Sequence, residues 1–136
     1  MLDGRCYRLE TGMEDNIRQT CKEEQARLLE RALTLPLPDA VFAIIHYNDH
    51  QRQMGPRPHC DPISLTALHG EFDPDDLEVW RISARKLRND AYAVGDAWHR
   101  KDGSYDRLRK EIEAKHPGFM FKTYEEASRY GMFLAR

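Results

Sequence analysis

The amino-acid sequence predicts an all-α fold, a bundle of five or six helices around one long central helix, in a single domain over residues 1–136. Two observations predict it. Apolar side chains recur at steps of three and four residues along most of the chain, and helix-start signals precede several of those stretches. A chain of this length is long enough for one core and too short for two ordinary domains.

The clearest element is the stretch from Asp73 to Lys101. Asp73 supplies an N-cap oxygen, Pro74 fits the first helical position, and two carboxylates follow where the helix dipole is positive. The predicted core face keeps the three-four spacing without a break: Leu77, Trp80, Ala84, Leu87, Ala91, Val94 and Trp98. Asp102 and Gly103 are expected to end this helix.

This helix is long for the domain that contains it. Residues 73–101 would extend about 43 Å as a helix, whereas a compact chain of this size is about 37 Å across. The helix is therefore expected to bend near Gly95, to project, or to lie along a second copy. Because Ala84, Ala91 and Gly95 leave room for another helix, a homodimer is the favoured solution.

The amino-terminal third is predicted to hold one amphipathic helix. Residues 1–10 have few apolar side chains and are expected to form an extended arm or a short strand. Thr11 and Glu14 make a capping box, and the helix that follows is expected to stop before Pro36.

The segment 39–53 allows two interpretations. Its β-branched and aromatic residues at 41–47 suit a buried strand, but Pro38 and Asp39 make a reasonable helix start, and a helix is favoured. The alternative is an α+β fold with a small sheet from residues 5–10, 41–47 and 63–68. Residues 54–62 contain too many prolines and glycines for a regular element, and a short helix is expected over 63–69.

Two further helices are predicted in the carboxy-terminal part. Ser104 is a plausible N-cap for a helix that ends at the His116-Pro117-Gly118 sequence. Thr123 and Glu126 repeat the capping box and predict the start of a last helix, which runs to the carboxyl end.

Composition narrows the function classes. Twenty-one basic and 23 acidic residues give a net charge of −2, so binding to nucleic acid is not expected. No apolar run approaches the length of a membrane span and no signal-peptide core is present at the amino end, so a cytoplasmic location away from membranes is expected. The three cysteines are far apart and lack C-x-x-C spacing, which predicts that they are reduced.

One candidate site is a pair of histidines. If 39–53 is helical, His46 and His50 lie one turn apart on one face and could bind a divalent transition metal, with His59, Cys60 or Asp61 as third ligand. Tyr47 stands where a zinc protease would have its glutamate, so that chemistry is not supported. The competing interpretation is a polar helix edge whose histidines form hydrogen bonds or face water.

The other candidate site lies on the long helix. Arg81, Arg85 and Arg88 follow one stripe beside Trp80, and arginine side chains suit acidic partners. The competing interpretation is a solvated face with local ion pairs. The sequence therefore favours a regulatory or interaction protein that binds a protein partner without catalysis or cofactor, and the alternative is a metal-binding protein or metal-dependent enzyme built on His46 and His50.

Overall fold

The computed structural model describes the backbone of residues 4–51 and 60–135, with the side chains of residues 16, 18–50 and 60–135. Every regular element in these ranges is helical, which confirms the all-α class and shows that the α+β alternative is wrong. The elements are α1 (Gly4–Ala32), α2 (Leu37–His46) continued by a π-helical turn (Tyr47–Gln51), a 3₁₀ turn (Leu65–Leu68), α3 (Pro74–His99), α4 (Tyr105–Lys115) and α5 (Phe121–Leu134).

The amino-terminal prediction is wrong where the structure describes it. Helix α1 already begins at Gly4, so residues 4–10 are helical and not an extended arm, and Thr11 and Glu14 lie inside the helix, not at its start. The mixed composition of residues 1–10 lacks helix breakers after Gly4, and the backbone continues the helix of the following segment. Residues 1–3 lie outside the described part of the chain.

Helix α3 is the long helix that the sequence predicts, and its start follows the expected chemistry. The side chain of Asp73 accepts a hydrogen bond from the backbone N–H of Asp75, and Pro74 occupies the first turn. Helix α3 contacts α2, α4 and α5 through its predicted core face. Trp98 differs, because 40% of its surface is exposed although its spacing places it on that face.

Helices α3 and α5 cross at small residues. A Cβ atom built on Gly131 would lie 1.9 Å from the carbonyl oxygen of Ala91, and one built on Gly95 would lie 2.1 Å from the carbonyl oxygen of Gly131. The two backbones are therefore in direct contact. The space beside Ala91 and Gly95, from which the sequence predicts a homodimer, is filled by α5 of the same chain.

A buried carboxylate joins α2 to the start of α5. Asp39, which is 2% exposed, accepts hydrogen bonds from the backbone N–H of Met120 at 2.8 Å and from the hydroxyl of Thr123 at 2.6 Å. The predicted capping role of Thr123 is therefore wrong, because α5 begins at Phe121 with Met120 as its N-cap, and the Thr123 hydroxyl donates to Asp39 instead.

A disulfide bond ties α1 to the segment before the 3₁₀ turn. Cys21 and Cys60 are bonded to each other, so the prediction that the cysteines are reduced is wrong for these two. Gln25, one turn further along α1, donates hydrogen bonds to the carbonyl oxygen of Asp61 and to the hydroxyl of Tyr47. The return of the chain after residue 59 is thus fixed against α1.

Among the described helices, none combines the length and the apolar character that crossing a membrane would require.

Candidate functional site

The two histidines predicted to share a helix face do lie together. His46 is the last residue of α2, and the π-helical turn carries the backbone on to His50, so that the imidazole centroids are 5.4 Å apart. His46 is 4% exposed, whereas His50 is partly exposed. His59, the predicted third metal ligand, lies outside the described residues.

Aromatic rings from α5 pack against both imidazoles. The ring of Tyr130 lies 5.1 Å from that of His46 and 4.5 Å from that of His50, and the ring of Phe133 lies 5.6 Å from His50. Phe42 stacks on the His46 ring at 5.5 Å from within α2. The histidine pair is therefore part of an aromatic cluster between two helices.

A cavity of about 550 Å³ opens beside this cluster. One side of it is formed by the end of α2 and the π-helical turn, and the other by a single face of α5. Its lining residues are His46, His50, Lys122, Glu125, Glu126, Arg129, Tyr130 and Phe133.

Burial controls the ionisation of the two groups that meet at the inner wall. His46 Nε2 lies 3.4 Å from Glu126 Oε1. Burial, with the nearby positive charge of Arg88, lowers the pKa of His46 to about 4, so the ring is neutral at pH 7. Burial also raises the pKa of the Glu126 carboxyl, although the positive charge of Arg31 acts in the opposite direction.

Arg88 adds positive charge behind the aromatic cluster. Its guanidinium lies over the Tyr130 ring at 4.6 Å from the centroid, and it donates a hydrogen bond to Asp49 at 2.7 Å. Burial and Arg88 together lower the pKa of His50. The site therefore holds two imidazoles whose neutral forms are favoured.

The predicted arginine stripe is divided between different environments. Arg81 pairs with Glu78 on the surface of α3 at 2.6 Å, while Arg85 and Arg88 both donate to Asp49 Oδ2. Arg88 is 9% exposed and turned toward α5. Trp80 is partly buried, with its ring 5.3 Å from that of Phe119 and against Gly118.

The geometry provides two histidines but not a complete metal site. Across residues whose side chains are described, no group of three histidine, cysteine, aspartate or glutamate side chains is placed to bind one ion. A metal at His46 and His50 would need a further ligand from Glu126 in another rotamer or from outside the described residues.

Two site residues, Glu126 and Tyr130, were not singled out from the sequence. They lie four residues apart on α5, so helical spacing alone puts them on one face together with Lys122 and Phe133. The sequence does not show that this face meets the end of α2, because the contact depends on the crossing of α3 and α5 at their glycines.

Comparison of the chain with protein-family models, with curated proteins and with solved structures found no match.

Proposed function

We propose that the protein acts by binding a small ligand or ion in the cavity between α2 and α5, without catalysing a reaction on it. The observation that carries the proposal is the meeting of His46, His50 and Tyr130 at a cavity of about 550 Å³. Cavities of a few hundred cubic ångströms with aromatic walls and a few polar groups are typical of small-molecule sites.

Buried polar atoms beside the cavity support a binding function, because they lower the stability of the fold and a purely structural role would not require them. The Nδ1 atom of His46 and the Nε and Nη2 atoms of Arg88 are buried and have no hydrogen-bond partner among the described residues. Buried polar atoms without partners destabilise a fold, and apolar side chains would fill the same space at lower cost. Such costs, together with displaced pKa values, are concentrated at functional sites.

The composition of the cavity wall favours binding over catalysis. Among the residues whose side chains are described, the lining has no serine, threonine or cysteine to act as a nucleophile beside the imidazoles. The rival enzyme interpretation from the sequence is a metal-dependent enzyme built on His46 and His50. The alternative ligand is a divalent transition metal, in which case His46 and His50 would both act as metal ligands.

Nuclear magnetic resonance of protein labelled at its histidine rings tests the proposal. The protein is titrated with Zn²⁺ and, separately, with a mixture of small carboxylic acids, amines and alcohols. We expect the His46 and His50 signals to shift while that of His69, which is exposed and outside the cavity lining, does not. Stoichiometric Zn²⁺ that is lost in His46→Ala would select the metal alternative, and unchanged His46 and His50 signals with every probe would overturn the proposal.

A second candidate function, binding of a protein partner, is supported by the outer face of α3. Val79 and Ile82 are 58% and 44% exposed, and they lie three residues apart on that face. We expect Val79→Ser with Ile82→Ser to leave the fold intact and to abolish partner capture. Unchanged capture by this variant would contradict the role of the α3 face. Trp80, Arg85 and Arg88 are less available to a partner, because each contacts other parts of the chain.

Location and oligomeric state are also proposals. A cytoplasmic location is opposed by the Cys21–Cys60 disulfide, because reducing compartments disfavour such bonds. Labelling of free thiols in the producing cell tests this location: labelled Cys21 and Cys60 would support a reducing compartment, and unlabelled ones an oxidising compartment.

A homodimer would need a surface other than the one beside Ala91 and Gly95. Sedimentation equilibrium measures the mass in solution and distinguishes a monomer from a dimer.

A further inference from the structure

Two basic side chains of the cavity lining have no ion-pair partner among the described side chains. Lys122 and Arg129 line the cavity, and neither forms an ion pair with any residue whose side chain is described. Of the two carboxylates in the lining, Glu126 faces the neutral ring of His46, and burial favours its uncharged form. Arg129 is thus a cation of the lining without an ion-pair partner among the described side chains, while Glu126 is engaged with His46.

The two basic side chains lie at different distances along α5 from the aromatic residues of the lining. Lys122 and Arg129 are seven residues apart, about 10 Å along the helix, and Arg129 is the one that directly precedes Tyr130. Tyr130 and Phe133 follow on the same face, with the ring of His50 opposite them at 4.5 and 5.6 Å. Arg129 and the aromatic walls therefore lie at the same end of the α5 face, and Lys122 lies at the other.

We propose that the cavity binds a small aromatic anion, with its carboxylate against Arg129 and its ring against His50, Tyr130 and Phe133. This inference rests on the proposed function and assigns the ligand its chemical class. A guanidinium pairs with a carboxylate through charge-assisted hydrogen bonds, and a flat ring packs edge-to-face or offset against aromatic walls. A benzoate-like molecule has both features.

Three probes with the same ring and different charge test this assignment: benzoate, benzylamine and benzyl alcohol. Isothermal titration calorimetry at pH 7 is expected to show the tightest binding for benzoate. Arg129→Gln is expected to weaken benzoate binding about tenfold and to leave benzyl alcohol nearly unchanged, because only the charge-assisted hydrogen bond is lost. Glu125→Gln is expected to strengthen benzoate binding by removing a repulsive charge.

Arg100→Gln is the matched control. Arg100 is exposed, follows the end of α3 and is outside the cavity lining, so its loss removes the same charge from the protein and should not change the affinity for benzoate. Tighter binding of benzylamine than of benzoate, or equal binding of all three probes, would overturn the assignment of an anion and leave the proposed function standing. If none of the three binds and none shifts the His46 or His50 signals, both the assignment and the cavity's role as a site for aromatic ligands fall.

Discussion

His46 and Glu126 meet 3.4 Å apart where α2 packs against α5, and burial shifts the pKa of each in the direction that disfavours its charged form. An ordinary ion pair would raise the pKa of the imidazole and lower that of the carboxyl. The opposite is found for each, because both groups lose water on folding and Arg88 repels a proton on His46. The contact is therefore not an ordinary ion pair, because burial opposes the charged form of both side chains.

The low pKa of His46 predicts a loss of stability in acid. The pKa is about 4 in the folded protein and near 6.5 in the unfolded chain, so between these values the unfolded chain binds more protons and stability falls as the pH falls. From pH 7 to pH 5 this amounts to about 2 kcal/mol. Glu126 has the opposite effect on stability, because its pKa is raised in the folded protein. Above the ordinary pKa of a glutamate, its contribution to the unfolding free energy grows as the pH falls.

Urea unfolding of the wild type and of His46→Phe at pH 7 and pH 5 measures this contribution. The variant is expected to lose less stability on acidification than the wild type, whatever its stability at pH 7. Glu126→Gln serves as the control for the opposing group and should make the acid loss larger. Equal acid losses in the wild type and in His46→Phe would show that His46 titrates normally in the folded protein.

The ion pair between Asp49 and Arg88 predicts that substitution of Asp49 strongly lowers the unfolding free energy. Asp49→Asn leaves the buried guanidinium without its counter-charge and should cost about 3 kcal/mol of unfolding free energy. Glu78→Gln breaks the exposed pair with Arg81 and is the control, with no measurable change in unfolding free energy expected.

Arg88 also influences the ionisation of His50. Arg88→Met should raise the pKa of His50 in an imidazole titration, because the nearby positive charge is removed. An unchanged pKa would contradict the influence assigned to Arg88.

The crossing of α3 and α5 predicts that Gly131 tolerates no side chain. A Cβ there would lie 1.9 Å from the carbonyl oxygen of Ala91, so the helices must separate in Gly131→Ala, at a cost of about 3 kcal/mol or more. Gly70→Ala is the matched control, since nothing lies within 4 Å of its Cβ position. Thermal unfolding of the two variants compares them, and similar melting temperatures would argue against so close a crossing.

The Cys21–Cys60 bond predicts a stability that depends on the redox state. It closes a loop with a sequence separation of 39 residues, for which chain entropy gives about 4 kcal/mol. Reduction by a dithiol should lower the unfolding free energy of the wild type by this order and leave Cys21→Ser with Cys60→Ser unaffected. A wild type indifferent to the dithiol would show that the bond does not form in the protein or does not constrain the unfolded chain.

Local signals accounted for most of the helices. The Asp73-Pro74 start and the three-four spacing located α3 within two residues at each end, and Ser104 accepts the N-cap hydrogen bond predicted for the start of α4. Such signals depend on neighbours in sequence. They failed at Thr123, where the hydroxyl binds Asp39 from 84 residues away, and at Trp98, whose spacing could not show where the partner helices end.

The candidate site was only half accessible from the sequence. His46 and His50 share a face because a helical backbone joins them, and this much was predicted. The other side chains of the site reach it through contacts between helices that are distant in sequence: Glu126, Tyr130 and Arg88. The spacing of residues within one helix cannot predict such contacts. The disulfide is another such contact, since C-x-x-C spacing is no guide to a pairing between α1 and a distant loop.

A crystal structure of the protein grown with benzoate tests the central claim most directly, because it locates the ligand. The expected result is a benzoate ring against Tyr130 and Phe133, with its carboxylate within hydrogen-bond distance of Arg129. A cavity that remains without benzoate at a concentration that saturates calorimetric binding, or a ligand bound at another surface, would contradict the assignment of this cavity as the binding site.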